Sequence, residues 1–169
     1  MKHLYIPILK TLPAEFKALK ELKQADMQKL LPLFDVPKIG ESVIKRKCYK
    51  DCPTINATYL HDIARSIATV CVGHSVMLDA FHWSPNAVVE TGEHVLSYLY
   101  TNLESMGVSV VPVIGYDRWD SQAYRLALSS LDMPADRLYC LRLDATAIVD
   151  AAEPEFLAEN IKSMLDEIG

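Results

Sequence analysis

The sequence predicts an α/β fold with a parallel sheet, and three observations support that prediction. Five strand-like segments alternate with five helix-like segments along the chain. The loops between most of them are short, which is typical of βαβ units. The strand-like segments are continuously apolar, as expected for strands that are covered on both faces. Because five units fall short of the eight that close a barrel, we expect an incomplete TIM-like barrel or, alternatively, an open doubly wound sheet.

The first half of the chain contains two predicted strands and two predicted helices. The first strand is expected at about residues 4–10, and Pro13 suits the first turn of the helix that follows. The second strand is expected at about residues 30–36, where Pro37 ends it. After a long connection, apolar residues at helical spacing predict a second helix from about residue 56: Leu60, Ile63, Ala64, Ile67 and Ala68.

The second half contains three further strands and three further helices. The strands are expected at about residues 75–81, 108–115 and 138–144. The helices are expected at about residues 87–106 and 121–131 and from near residue 154 to residue 168. Gly107 is a natural end for the third helix, and residues 133–136 form a predicted turn.

Length and composition describe one ordinary globular domain. The 169 residues carry a formal charge of -5, so broad non-specific binding to nucleic acid is not expected. No apolar run reaches the roughly 18 residues that a membrane-spanning helix needs, and we expect no membrane partner. The four cysteines are spread out without a CxxC pair. We therefore expect a single α/β domain over residues 1–169, with free thiols and a cytoplasmic location.

Charged side chains at the carboxyl ends of the strands form the candidate site. Ligands of parallel α/β folds bind at that end of the sheet. The predicted catalytic candidates are Asp79, Lys10 and Arg142, and the predicted ligand-binding residues are Asp35, Asp144, Arg118 and Trp83.

Two interpretations of these charges remain open. Asp79 and Arg142 lie in apolar strands, where an unpaired charge is costly, so they form either a structural ion pair or a polar binding site. Asp35, Asp79 and Asp144 would suit Mg²⁺ and metal-assisted phosphoester hydrolysis if they converged. Otherwise they cap helices or pair with Lys10 and Arg142. A Schiff-base role for Lys10 is less favoured than an ion pair with Asp35.

Several features point toward binding instead of a recognised chemistry. The chain has no P-loop, no GxGxxG and no GxSxG motif, and no cofactor is identified. Lys45, Arg46, Lys47 and Lys50 are interpreted as a solvated loop, with a local nucleic-acid contact as the alternative. Trp83 either lies exposed at the rim or packs over the end of the sheet. The open edge of an incomplete barrel predicts a protein partner or a homo-oligomer.

Five short motifs stand in order along the chain: Tyr5–Lys10, Leu31–Pro37, Leu78–Asp79 with His82–Trp83, Val111–Ile114 with Tyr124, and Cys140–Leu143. Together they resemble the phage and bacterial beta protein family. The resemblance covers most of the chain and implies a TIM-barrel-like fold, with no biochemical activity to carry over. Family members are generally longer, which implies that this chain corresponds to the N-terminal part of one. The family more often has Glu at the position of Asp35.

Two functional hypotheses follow. The first is a phage- or defence-associated interaction module that binds another macromolecule without catalysis. The second is a metal-dependent phosphoester hydrolase with its carboxylates at the carboxyl ends of the strands.

Overall fold

The computed structural model describes residues 5–132 and 138–168, which form a five-stranded parallel sheet. Neighbouring strands are parallel, and their order across the sheet is β1-β2-β3-β4-β5. The predicted α/β fold with parallel units is confirmed. The strands are β1 (Ile8–Leu9), β2 (Leu33–Asp35), β3 (Ser75–Asp79), β4 (Ser109–Gly115) and β5 (Cys140–Arg142).

The strand order distinguishes between the two predicted architectures. A doubly wound sheet reverses its direction at a switch point, whereas these strands follow one another in chain order. Chain order is the arrangement of consecutive units in a (β/α) barrel. Among the described strands β1 and β5 do not meet, so the sheet is open and has the strand order of an incomplete TIM-like barrel.

The described part of the chain contains eight helices and one 3-10 turn, and the last two helices follow β5. Residues 5–132 and 138–168 contain no helix that is long and apolar enough to span a membrane. The helices are α1 (Pro13–Lys20), α2 (Gln24–Met27), α3 (Glu41–Ile44), α4 (Ile55–Cys71), α5 (Val95–Ser105), α6 (Gln122–Ser129), α7 (Ala145–Asp150) and α8 (Pro154–Ile168), and the 3-10 turn is Tyr116–Arg118. The short helices α2, α3 and α7 were not predicted.

The predicted start of the third long helix at residue 87 is wrong, because α5 begins at Val95. Gly92 has a left-handed backbone with φ +86°, which a continuing helix does not allow. His94 then caps the helix, since its Nδ1 accepts a hydrogen bond of 3.1 Å from the Leu96 amide. Val88 and His94 also form an antiparallel bridge. Residues 87–94 therefore form a short non-helical stretch in the connection between β3 and α5.

The other predicted elements are mostly longer than the observed ones. The first strand was predicted over residues 4–10, but regular pairing is confined to Ile8–Leu9, with one more bridge between Tyr5 and Leu30. The last helix runs over Pro154–Ile168, as predicted. Leu4 and the predicted turn at residues 133–136 lie outside the described residues.

The two faces of the sheet differ in what covers them. One face contributes Phe34, Leu78 and Ile114 to a large core that also contains side chains from α1, α4, α5, α6 and α8. The other face is lined by buried strand residues such as Met77 and Val113, and its described apolar cluster includes no helix residue. This second face corresponds to the interior of a barrel. Its carboxyl end carries the polar residues of the candidate site.

Buried thiol and phenol groups make the protein less stable at alkaline pH. Burial raises the pKa of the Cys71 thiol from 9.0 to about 12, and it raises the pKa of Tyr100 to about 12. The unfolded chain therefore loses these protons first as the pH rises, which favours unfolding.

We expect Cys71 alone to lower the free energy of unfolding by about 2 kcal/mol between pH 8 and about pH 10.5. Urea unfolding at the two pH values measures this change. In a Cys71→Ala variant the decrease should be clearly smaller. An equal decrease in both proteins would contradict the assignment.

Candidate functional site

The candidate site lies where the second face of the sheet meets the carboxyl ends of β2, β3 and β5. Strand residues of one parity share a face, so Asp35, Asp79 and Arg142 follow the apolar side chains of Leu33, Met77 and Cys140. The register pairs Asp35 with Asp79 and places Arg142 beside Gly115. Asp35, Asp79 and Arg142 therefore face the same side of the sheet.

Asp79 is the centre of a cluster of four charged residues, which we call the Asp79 cluster: Asp79, Asp117, Arg118 and Arg142. Asp79 is only 2 % exposed. Its Oδ1 accepts a hydrogen bond of 2.9 Å from Arg118, and its Oδ2 accepts one of 2.6 Å from Arg142. Asp117 accepts a further bond of 3.2 Å from Arg142. Both oxygens of the buried carboxylate are thus occupied by guanidinium groups.

The charge of Asp79 is set by two opposing effects. Burial raises the pKa of the Asp79 carboxyl above its ordinary value, and the charge of Asp35 acts in the same direction. The guanidinium groups of Arg118 and Arg142 lower this pKa by favouring the ionised form. Burial is the larger effect, so the pKa of Asp79 lies above its ordinary value although a guanidinium donates to each carboxylate oxygen.

Arg118 reaches Asp79 because Gly115 has no side chain. A Cβ at Gly115 would overlap the Arg118 guanidinium and the Asp117 carboxylate. Arg118 is 4 % exposed, and its guanidinium carbon lies 5.0 Å from the centre of the Tyr124 ring. The hydroxyl of Tyr124 donates a bond of 3.0 Å to the carbonyl of Val113. Arg118 is therefore fixed from two sides in the interior.

Arg142 is the more accessible of the two arginines. Its guanidinium carbon lies 3.7 Å from the centre of the Phe81 ring, a distance that allows a cation–π contact. About a quarter of its side chain is exposed, whereas that of Arg118 is buried. Phe81 itself is partly exposed at the rim. Arg142 and Phe81 thus form the surface side of the Asp79 cluster.

Asp35 pairs with a histidine and not with Lys10. His82 Nε2 lies 3.1 Å from Asp35 Oδ2, and the His82 ring meets the Phe81 ring edge-on. The other carboxylate oxygen of Asp35 is buried and has no hydrogen-bond partner in the described part of the chain. The pair borders the Asp79 cluster through Phe81.

Three of the predicted site residues take other positions. Lys10 is exposed, and it makes no ion pair within the described residues. Asp144 caps α7, because its Oδ1 accepts bonds from the amides of Thr146 and Ala147. Trp83 is 6 % exposed and packs in the core, so of its two predicted alternatives the exposed one does not hold. The interpretation that a tryptophan packs over the end of the sheet applies to it.

The three carboxylates considered for magnesium do not form a free oxygen site. Asp79 is bound by two arginines, Asp35 pairs with His82, and Asp144 caps a helix. Within residues 5–132 and 138–168, no group of three His, Cys, Asp or Glu side chains is arranged to hold a metal ion.

We expect several millimolar Mg²⁺ to leave the melting temperature unchanged within about 1 °C, because no carboxylate pair in the cluster is free to bind it. Differential scanning fluorimetry with and without the ion measures this. Ca²⁺ at equal ionic strength controls for screening. A stabilisation by Mg²⁺ that disappears in Asp79→Asn would contradict the result and restore the metal hypothesis.

Sequence reasoning did not single out Gly115 and Phe81. Phe81 stands two residues after Asp79, the last residue of β3, and an aromatic residue at that position suits stacking with a rim arginine. Gly115 is the last residue of β4 and belongs to no recognisable sequence motif. Its role becomes visible only in the structure, where the Arg118 side chain occupies the space that a Cβ would need.

The comparisons with known proteins give one match. A family model described as Beta protein matches residues 5–169, which is nearly the whole chain. No curated protein and no solved structure matches the chain.

Proposed function

Because this chain belongs to the Beta protein family, we propose that it acts as an interaction module that binds another macromolecule without catalysis. We also propose a phage- or defence-associated setting, which the family resemblance supports. The charged groups at the carboxyl end of the sheet support binding more than chemistry. Asp79 already carries two arginine contacts, and Asp144 caps a helix, so neither carboxylate is free to act as a base or a ligand.

The two uncovered edges of the sheet carry the proposal. In the described residues, β1 and β5 each have one strand neighbour. Apolar side chains are exposed beside both edges, with Ile6 and Ile8 at β1 and Leu138 and Leu143 at β5. Unpaired backbone flanked by apolar side chains is a template for pairing with another chain. We infer that these edges bind a partner polypeptide.

A second copy of this chain is the partner that suits both edges at once. A twofold axis along the strand direction brings β5 of each copy beside β1 of the other. All strands remain parallel in that arrangement, and both edges are covered in one closed assembly. Any other protein partner would have to offer two complementary edges.

A charge placed on the β1 edge tests this proposal. Ile8 is 68 % exposed, and lysine on an edge strand blocks pairing. We expect Ile8→Lys to weaken self-association at least tenfold in sedimentation velocity over a dilution series, with an unchanged unfolding midpoint.

Val72→Lys is the matched control, because Val72 is 60 % exposed but lies between the end of α4 and the start of β3, away from the β1 edge. It should leave self-association within twofold of the unsubstituted chain. An equal loss in both variants, or no loss in Ile8→Lys, would count against the edge as the interface.

A further inference from the structure

A strongly basic segment connects β2 to α4. Within residues 38–50 the cations are Lys38, Lys45, Arg46, Lys47 and Lys50, and the carboxylate is Glu41. All five cationic residues are exposed. Lys45 lies 3.6 Å from Glu41 in an ion pair that is itself largely solvated, and the other four make no ion pair with the described residues. The segment, which we call the basic connection, is therefore a positive surface on a chain of net charge -5.

The basic connection is anchored to the core. Tyr49 is buried, its hydroxyl donates a bond of 2.8 Å to Asp62, and its ring meets the Tyr59 ring edge-on. Ile39 and Val43 also pack against the main core. Because Ile39, Val43 and Tyr49 pack inward, the cationic side chains between them are held at the surface.

Backbone turns shorten the distance between the cations. The amide of Arg46 donates to the carbonyl of Val43, and the amides of Tyr49 and Lys50 donate to the carbonyl of Arg46. The segment therefore folds back on itself between residues 43 and 50. Arg46, Lys47 and Lys50 are carried by one compact turn region and not by an extended chain.

The basic connection lies at the same end of the sheet as the Asp79 cluster. It lies between the carboxyl end of β2 and the start of α4, as a βα loop does, and Asp51 follows it before the helix begins. Its surface is separate from the β1 and β5 edges, because β2 is an inner strand of the described sheet. A ligand can therefore bind here while both edges are covered.

The composition of the surface distinguishes among partner classes. Protein interfaces are depleted in lysine and rely on aromatic anchors, but Tyr49 is buried. Binding to a membrane surface requires a free apolar helix face, whereas Ile39 and Val43 are packed in the core. Ile44 is the one large apolar side chain of the segment that is exposed, so its surface consists mainly of lysine and arginine, which suit phosphate groups.

We propose that the basic connection binds the phosphate backbone of a nucleic acid. No aromatic side chain of this segment is exposed for base stacking, so the binding does not depend on base sequence. Nucleic-acid binding by this segment is a separate proposal from self-association at the sheet edges. An experiment can contradict one of the two proposals and leave the other standing.

Salt dependence is the measurable consequence of this chemistry. Each neutralised phosphate of a duplex contributes a slope of about -0.9 to the logarithmic dependence of affinity on salt. Four contacts would weaken binding roughly 100-fold between 50 and 200 mM salt. We expect this dependence with duplex DNA, and a shallower one with a single strand of the same sequence.

The experiment compares two triple variants of the full chain by fluorescence anisotropy with labelled duplex and single-stranded DNA. R46Q/K47Q/K50Q removes three charges from the basic connection. K17Q/K20Q/K23Q removes three exposed charges from the region of α1 and is the matched control. We expect at least tenfold weaker binding and a shallower salt slope in the first variant, and an affinity within twofold of the unsubstituted chain in the control.

Four outcomes would overturn the proposal. The first is no binding of either DNA at 50 mM salt, and the second is an equal loss in the two triple variants. The third is tighter binding to phosphatidylglycerol vesicles or to polyglutamate than to DNA, which would assign the surface to a membrane or an acidic protein. The fourth is a preference of more than tenfold among DNA sequences of equal length.

Discussion

Asp79→Ala should lower the free energy of unfolding by about 3–5 kcal/mol, which is the usual cost of removing one partner of a buried ion pair. Arg118 is the reason, because its guanidinium is 4 % exposed and would lose the carboxylate that compensates its buried charge. Arg142 would also lose its shortest contact, but it can turn toward water. Urea unfolding at pH 7, followed by circular dichroism, measures the change.

Two further variants make this result specific. Asp144→Ala removes a helix cap and should cost only about 1 kcal/mol. Asp79→Asn keeps the side-chain volume and one acceptor oxygen, so its loss in the free energy of unfolding should lie between those of the two alanine variants. This variant serves as the test if Asp79→Ala does not fold. An Asp79→Ala variant within about 1 kcal/mol of the unsubstituted chain would show that the two arginines do not depend on Asp79.

Gly115→Ala should have the second largest effect, a loss of about 3 kcal/mol. The added Cβ overlaps the Arg118 guanidinium and the Asp117 carboxylate, and overpacking of an interior costs about 1–3 kcal/mol by itself. Moving Arg118 away also weakens its bond to Asp79. Gly40→Ala is the control, since a Cβ there meets no atom within 4 Å and the residue has φ −94°. It should change stability by less than about 1 kcal/mol.

A double-mutant cycle separates this mechanism from a general backbone effect. If Gly115 matters because it leaves room for Arg118 to reach Asp79, Gly115→Ala should cost at least 1 kcal/mol less in the Asp79→Ala background. Additive losses would mean that the glycine acts independently of the cluster.

The sequence was sufficient to predict the fold class and part of the candidate site. Continuous apolar runs predicted the strands, and the charges at their carboxyl ends made Asp79 and Arg142 candidate site residues. Because an unpaired charge inside an apolar strand is costly, Asp79 and Arg142 were each expected to have a charged partner. The structure joins these two residues by a hydrogen bond. The choice between a barrel order and a doubly wound order required the strand pairing itself.

The remaining site residues depend on contacts that sequence spacing does not encode. Lys10 and Asp35 end neighbouring strands, so an ion pair between them was a reasonable expectation, but His82 on the β3 loop reaches Asp35 instead. Asp144 follows β5 as predicted, yet the helix that begins beside it uses its carboxylate as a cap. Trp83 was left between exposure at the rim and packing over the sheet, and only the folded chain shows that its ring is buried in the core.

The mass of the purified chain in solution, measured by light scattering on a sizing column, tests the central claim most directly. The claim is that the two sheet edges bind a second copy. It predicts a mass twice the 19.0 kDa of one chain, with dissociation only on dilution. A mass of 19.0 kDa at every concentration would contradict it and leave the edges without the partner proposed for them.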